Sequence, residues 1–286
     1  MNHQSPGAKL KKLVKASDPL IIAGVINACA ALLAQQSKLQ AIYLSGAGVA
    51  NADFGLPDLG VTSLADVITQ ITRITSAVDL PLLVDGDTGW GGNLNVANTV
   101  SQFIKAGAAG VHFEDQQWPK RCGHRDGKKL VTTEEMVAKI VSAVAAKTDP
   151  DFIIMARTDA LAVEDLDDAL LRVKKYVAAG ADMIFAEAVT ELSQYAAFVA
   201  AVPGTPVLAN ITEFGKTPLF TAKELNSVGV KLMLFPLSAF RAMNQAALEV
   251  FQTIQQQGTQ KKSISKMQTR EDLYTLLNYE ELESKL

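Results

Sequence analysis

Two cysteines, Cys29 and Cys122, are too few for a disulfide framework, and the expected state is two free thiols in a reducing compartment. No apolar run approaches the roughly 20 residues that span a bilayer. The segment Met1–Lys15 carries Lys9, Lys11, Lys12 and Lys15 but lacks the apolar stretch and small-residue cleavage site of a signal peptide. It is also too short and too poor in arginine for a mitochondrial transit peptide, so a cytoplasmic address is expected. Neither sign of charge dominates. With 27 basic and 30 acidic side chains the net charge is −3, which gives no electrostatic reason to expect nucleic acid or an anionic membrane as partner. Internal repeats, low-complexity tracts and Pro-rich linkers are missing. So is the Gly-rich phosphate loop of an open nucleotide-binding sheet. Gly46-Ala47-Gly48 is a lone short pair that a tight turn explains as well as a cofactor does.

What is present is alternation. The hydrophobic fraction of 48% can fill a large core, and 286 residues is close to one α/β barrel. Nearly continuous apolar runs read as strands at Leu20–Asn27, Ala41–Gly46, Pro81–Asp87, Gly110–Asp115, Phe152–Asp159, Met183–Glu187, Pro206–Thr212 and Leu232–Pro236. Strands buried on both faces look like this. Amphipathic stretches separate them, among them Leu64–Ala77, Leu94–Ala106, Thr133–Lys147, Asp165–Ala179 and Ser238–Gln256. The pattern predicts an α/β fold, a (βα)8 TIM barrel as a single domain over residues 1–286. An open doubly wound sheet is the alternative. Residues 256–286 turn polar after Gln255-Gln256-Gln257-Gly258 and then recover apolar spacing at Leu273, Leu276 and Leu277. They read as a helical C-terminal tail suited to packing on a neighbouring subunit.

A barrel keeps its chemistry where strands end and loops begin, at the C-terminal face. Polar residues close the apolar runs there: Tyr43 to Gly46, Asp85 to Asp87, Glu114-Asp115, Arg157 to Asp159, Glu187, and Asn210 to Thr212. Polarity near solvent explains one or two such ends, not carboxylates at successive ends. Asp85 and Asp87 are spaced i, i+2 and should share one side of a strand. Two adjacent carboxylates repel unless a cation or proton intervenes. Oxygen ligands alone favour Mg²⁺, with Mn²⁺ as the second choice, over zinc. Glu114 and Asp58 are then expected to act through water. Asp115 reads as a capping or loop-bracing residue.

The second signal is Trp118-Pro119-Lys120-Arg121-Cys122-Gly123-His124-Arg125. A thiol among Lys120, Arg121 and His124 sits in a positive field, which is expected to lower its pKa. Gly123 permits close backbone approach to a ligand, and Gly127 gives the loop freedom to move as a lid. Taken alone, the segment is better read as a solvated basic loop with an incidental cysteine. Zinc lacks ligands at the right spacing. A Cys–His hydrolase would need no Asp85/Asp87 pair and finds no evident orienting group for His124. His112 falls within an apolar run and reads as a satisfied core histidine, His3 as disordered, and Cys29 as a buried small hydrophobe. Arg157, Arg241 and Arg270 are candidate carboxylate clamps, Arg157 the strongest and Arg270 an exposed residue on sequence grounds alone.

Lys120-Arg121-Cys122-Gly123-His124 resembles the signature of the isocitrate lyase/phosphoenolpyruvate mutase superfamily. From Ser5 to about Tyr279 the chain is similar to its 2-methylisocitrate lyase family. Further matches are Gly55-Leu56-Pro57-Asp58, Ala156-Arg157-Thr158-Asp159-Ala160, Asn210 to Gly215, and Pro236 to Arg241. The resemblance implies a barrel whose last helix is swapped between subunits of a homotetramer. It implies Mg²⁺-dependent cleavage of a tricarboxylate, 2-methylisocitrate, to pyruvate and succinate in propionate breakdown. It places the metal on Asp85 and Asp87. Substrate is implied at Ser45, Gly46, Ala47, Cys122, Gly123, Arg157, Glu187, Asn210, Ile211, Thr212, Arg241 and Arg270. Cys122 is implied as the acid that protonates carbon, with Lys120 and His124 beside it. The base stays open among Asp58, Tyr43 and a metal-bound hydroxide. Ala47 stands where the family often has Gly, and Ala186 where many members have Pro. Phe185, Leu234 and Pro236 match the methylisocitrate enzymes and not plain isocitrate lyases, whose side chains there are an aromatic and a threonine type. One methyl is worth about 1–3 kcal/mol of discrimination, so a lyase for 2,3-dimethylmalate or another 2-alkylmalate is the alternative. Phosphonate enzymes, oxaloacetate decarboxylases and a non-catalytic binding barrel are the remaining alternatives.

Overall fold

A computed structural model describes residues 4–125 and 127–286. Eight strands form a closed parallel barrel in sequence order: β1 Leu20–Gly24, β2 Ala41–Leu44, β3 Leu82–Asp85, β4 Gly110–Glu114, β5 Ile153–Thr158, β6 Met183–Ala186, β7 Val207–Asn210 and β8 Leu232–Phe235. β8 closes on β1 with Ile22 opposite Leu234. The α/β barrel read from the alternation is therefore the fold. Most strands stop one to three residues before the polar ends, because those residues leave the ladder to form the mouth.

The helices are α1 Pro6–Ala16, α2 Ala28–Gln36, α3 Gly46–Phe54, α4 Leu64–Ala77, α5 Asn93–Lys105, α6 Thr133–Ala145, α7 Leu166–Ala178, α8 Leu192–Ala201, α9 Ala222–Ser227, α10 Ser238–Gln257, α11 Arg270–Leu276 and α12 Tyr279–Glu283. Local chemistry starts several of them. Ser63 with Asp66, Thr132 with Glu135, Thr221 with Glu224 and Thr269 with Asp272 form reciprocal capping boxes at α4, α6, α9 and α11.

Strand parity divides the core in two. Outward residues such as Ile42, Leu44, Val84, Val111, Phe113, Ile154 and Ile184 pack on the helices. Inward residues Ile22, Tyr43, Leu83, Met155, Phe185, Leu208 and Leu234 fill the barrel, together with Leu10 and Val14 of α1. Thus α1 stoppers the N-terminal end of the barrel, a use for the first residues that their lysines had hidden.

Two expectations need correction. Gly46-Ala47-Gly48 is not a tight turn but the first turn of α3, with Ser45 at its N-cap. Cys29 is exposed, because it lies on the outward side of α2 while Ala30, Ala31 and Ala34 face the core. His3 lies outside the described residues. Among those described, no helix is long and apolar enough to cross a membrane.

The eighth barrel helix is unusual. None of the residues of α10 is buried, and Leu248, Phe251 and Ile254 along it are exposed. On β1, the outward Ile21 is 42% exposed. Within one chain, an apolar helix and an apolar strand face both lack a cover. Beyond α10, α11 packs against α2.

Candidate active site

Inward parity continues past the strand ends. Tyr43 and Ser45 follow Ala41, Asp85 follows Leu83, Glu114 follows His112, Arg157 follows Met155, Glu187 follows Phe185, and Asn210 and Thr212 follow Leu208. All of these but Glu114 meet over the barrel axis in a pocket of about 180 Å³, also lined by Ala47, Asp58, Lys120, Cys122, Gly123, His124, Leu234, Pro236 and Arg241. Asp58, Arg121, Cys122 and His124 are shared with an outer vestibule of about 920 Å³.

Asp85, Asp87 and Glu114 bring carboxylate oxygens within 4.8 Å of one another, all three buried. The route to this cluster differs from the one expected. β3 ends at Asp85, and Asp87 has φ 45°, so a left-handed turn and not strand alternation returns its side chain to the pocket. The amide of Gly46, at the start of α3, donates to Asp85 Oδ2 (3.0 Å), and the amide of Asp87 donates to Asp85 Oδ1 (3.2 Å). Lys120 Nζ bridges Asp58 and Asp87 Oδ1, at 2.8 Å from the latter. Burial alone would raise the Asp85 carboxyl, but His112, Lys120, Arg157 and the Gly46 amide outweigh it and hold it at about 2. Asp87 goes the other way, to about 6, through burial with Asp85 and Asp58 nearby, against the pull of Lys120. Glu114 is pushed well up by burial, and its Oε1 has no hydrogen-bond partner. Three buried carboxylates around an unsatisfied oxygen form an all-oxygen donor set that suits a hard divalent cation.

Below the carboxylates, His112 Nε2 lies 2.8 Å from the Tyr43 hydroxyl and 3.5 Å from Asp85 Oδ1. Burial holds this imidazole at about 4, so it is neutral. His112 is therefore buried as expected, yet it underpins the site as well as the core. Its inward parity, two residues before Glu114, was the available signal.

Arg157 crosses the pocket. Its Nε and Nη2 donate to Asp159 at 3.0 and 3.2 Å, and Nη1 lies 3.4 Å from Glu114 Oε2 and 3.3 Å from Glu187 Oε2. The guanidinium sits over Phe185, 5.2 Å from the ring centre. Asn210 Nδ2 donates to Glu187 Oε2 (3.2 Å).

The Cys122 loop lies against this group. A side chain at Gly123 would fall 2.6 Å from Glu187 Cγ, so only glycine lets the backbone seat there. His124 Nδ1 accepts from the Lys216 amide (3.0 Å), which leaves the proton on Nε2, 3.1 Å from Glu187 Oε1. An orienting carboxylate for His124 exists after all, just past β6, where sequence distance concealed it. The expected lowering of the Cys122 pKa is overturned. Burial raises it, helped by Asp58 and Glu187, against the smaller opposing pull of the His124 backbone and Arg157. Its neighbour His124 is lowered by burial. The thiol is thus set to carry a proton, and it remains exposed toward the vestibule.

Three of the implied substrate residues stay out of the pocket wall: Gly46, whose amide is taken by Asp85, Ile211 and Arg270. Ile211 is buried in the outer core, and its amide donates to the Leu234 carbonyl. Arg270 opens α11, where it lines a separate surface hollow with Tyr274 and Asn278. Within one chain it does not reach the carboxylates. Arg241 does line the pocket, exposed, with Nε 3.8 Å from Glu213.

Comparison with known proteins extends the geometry. Residues 10–255 match the family described as phosphoenolpyruvate phosphomutase. A 2-methylisocitrate lyase of Escherichia coli strain K12 is 58% identical over 100% of this chain and 97% of its own length. The structure of 2,3-dimethylmalate lyase, a PEP mutase/isocitrate lyase superfamily member, superposes with a TM-score of 0.91 at 30% identity, covering 98% of this chain and 94% of that one. Phosphonopyruvate hydrolase in complex with oxalate and Mg²⁺ superposes with a TM-score of 0.86 at 28% identity, covering 98% and 97%. The chain belongs to the phosphoenolpyruvate phosphomutase family, within the superfamily that its Lys120–His124 segment resembles.

Proposed function

We propose that this lyase cleaves 2-methylisocitrate to pyruvate and succinate. One observation carries the reading: the Asp85/Asp87/Glu114 cluster meets, through Asp85, the one small pocket that the Arg157 guanidinium and the protonated Cys122 thiol also line. Identity of 58% over the full length to a protein of that activity supports the substrate. Asp85 and Asp87 would hold Mg²⁺, with Glu114 reaching it through water, as its unpartnered Oε1 favours. When bound, the ion neutralises the substrate's carboxylate and acidifies its 2-hydroxyl. The chain's own groups do the rest. Asp58, on the pocket wall, is placed to receive the hydroxyl proton, whereas burial and Asp85 keep the Tyr43 phenol protonated and leave it to orient that hydroxyl. Arg157, with Asn210 and Thr212, balances the charge on the succinate fragment as the C2–C3 bond breaks. Cys122 delivers its proton to that carbon, and His124, fixed by Glu187, stands beside it.

The uncovered apolar faces of α10 and β1 support a subunit swap of the last helix in a homotetramer, with residues 256–286 as the tail of a single barrel domain. A neighbour's tail is the one route by which Arg270 meets substrate. We place the enzyme in the cytoplasm.

Pyruvate release, followed with lactate dehydrogenase, tests the reading. Mg²⁺-dependent release from 2-methylisocitrate, with kcat/KM above that for isocitrate and 2,3-dimethylmalate, is the expected result. Preference for 2,3-dimethylmalate overturns the substrate, and no 2-oxo acid from any of the three overturns the lyase.

A further inference from the structure

The loop between β4 and α6 carries a second lysine that is as buried as Lys120 but faces no substrate. The Lys128 side chain is 1% exposed. Its ammonium donates to the Gly123 carbonyl and, at 2.7 Å, to Asp159 Oδ1. Asp159 is fully buried, and the same carboxylate grips Arg157 through Nε and Nη2. Gly123 in turn is packed directly on Arg157 and Glu187 and is bonded in sequence to Cys122. A buried ammonium costs several kcal/mol unless its bonds are good, and a lysine in a mobile surface loop would avoid that cost. Here the cation closes a ring: thiol loop, Lys128, Asp159, Arg157, and back through the packing of Gly123.

We propose that Lys128 is a positioning residue that sets two distant groups with one ammonium. Through the Gly123 carbonyl it seats the Cys122 loop, and through Asp159 it aims the Arg157 guanidinium. The acid and the anion clamp are therefore fixed in a common geometry, and a loop that lifts releases both. This rests on the lyase reading above for its consequence in turnover, but not for the clamp itself.

The test uses the full chain in a Cys29→Ala background, so that Cys122 is the sole thiol. Lys128→Met is compared with its parent by kcat, KM, thermal midpoint and the rate of Cys122 alkylation by iodoacetamide without metal or substrate. We expect kcat to fall about 10²-fold, as for an ångström-scale misplacement, with KM moving much less. Alkylation should accelerate severalfold as the loop unseats. A folded variant with parental kcat/KM and parental alkylation overturns the proposal, as does a lowered midpoint with both rates unmoved, which is the mark of a mere brace. If Lys128→Met does not fold, Lys128→Gln, which keeps N–H donors but no charge, decides by the same alkylation rate. Faster alkylation in a protein whose parent releases no pyruvate sinks the lyase reading and leaves the clamp standing.

Discussion

Glu114 and Asp115 are neighbours with opposite fates. Both are fully buried carboxylates, and burial raises both pKa values. Glu114 points into the barrel mouth and keeps an oxygen without a partner. Asp115 points outward between β5 and α7, and both of its oxygens are satisfied. Oδ1 accepts from the Asp159 amide (2.9 Å), and Oδ2 accepts from Thr158 Oγ1 (2.7 Å) and Tyr176 Oη (2.8 Å). Arg172 lies 3.6 Å from it and is itself forked onto Glu164. One network is complete without a ligand and the other is not. In a folded protein an incomplete buried network is the exception that asks for an occupant.

Breaking each side should give opposite losses. The largest effect is expected from Asp85→Asn with Asp87→Asn, which should abolish measurable turnover and the rise in thermal midpoint that Mg²⁺ gives the parent. A retained Mg²⁺-dependent rise would move the metal off these residues. Next, Cys122→Ser should lose about 10²–10⁴-fold in kcat, the range for a general acid, while KM stays within a few-fold. Near-parental kcat in steady state would remove the thiol from proton delivery. Tyr43→Phe and Asp58→Asn, assayed together, should separate the base from its neighbour: the base loses kcat and the other variant chiefly KM. The smallest catalytic effect belongs to Asp115→Asn, with kcat within about threefold of the parent. Its loss should appear in stability, about 1.5–3 kcal/mol for a weakened buried charged bond, read as a lower midpoint by calorimetry. If Asp115→Asn instead loses turnover at an unchanged midpoint, the contrast with Glu114 fails.

Much of this was legible in sequence, for a physical reason. A parallel barrel buries each strand on both faces, so its runs are apolar until the mouth, and any polar residue there stands out. Asp85, Glu114, Arg157, Glu187 and Asn210 were found that way. Asp58, Lys120 and Cys122 sit on loops with no parity, and only the resemblance gave Cys122 a role. The sign of the shift at Cys122 was misread, because neighbours in sequence were taken for neighbours in charge. Lys120 turned to Asp58 and Asp87 instead. The Glu187–His124 and Lys128–Asp159 pairs join residues 63 and 31 positions apart, and no local pattern announces such a meeting. The spacing of Asp85 and Asp87 led to the right pair through the wrong geometry.

The stopper formed by Leu10 and Val14 gives the barrel a closed floor. The described residues form a cup and not a pipe, whose pocket opens into the vestibule beside the Cys122 loop. Cleavage makes two products from one substrate, and both must leave by the opening through which that substrate came in. Ordered release, with the fragment nearer the mouth leaving first, is the outcome expected of that shape.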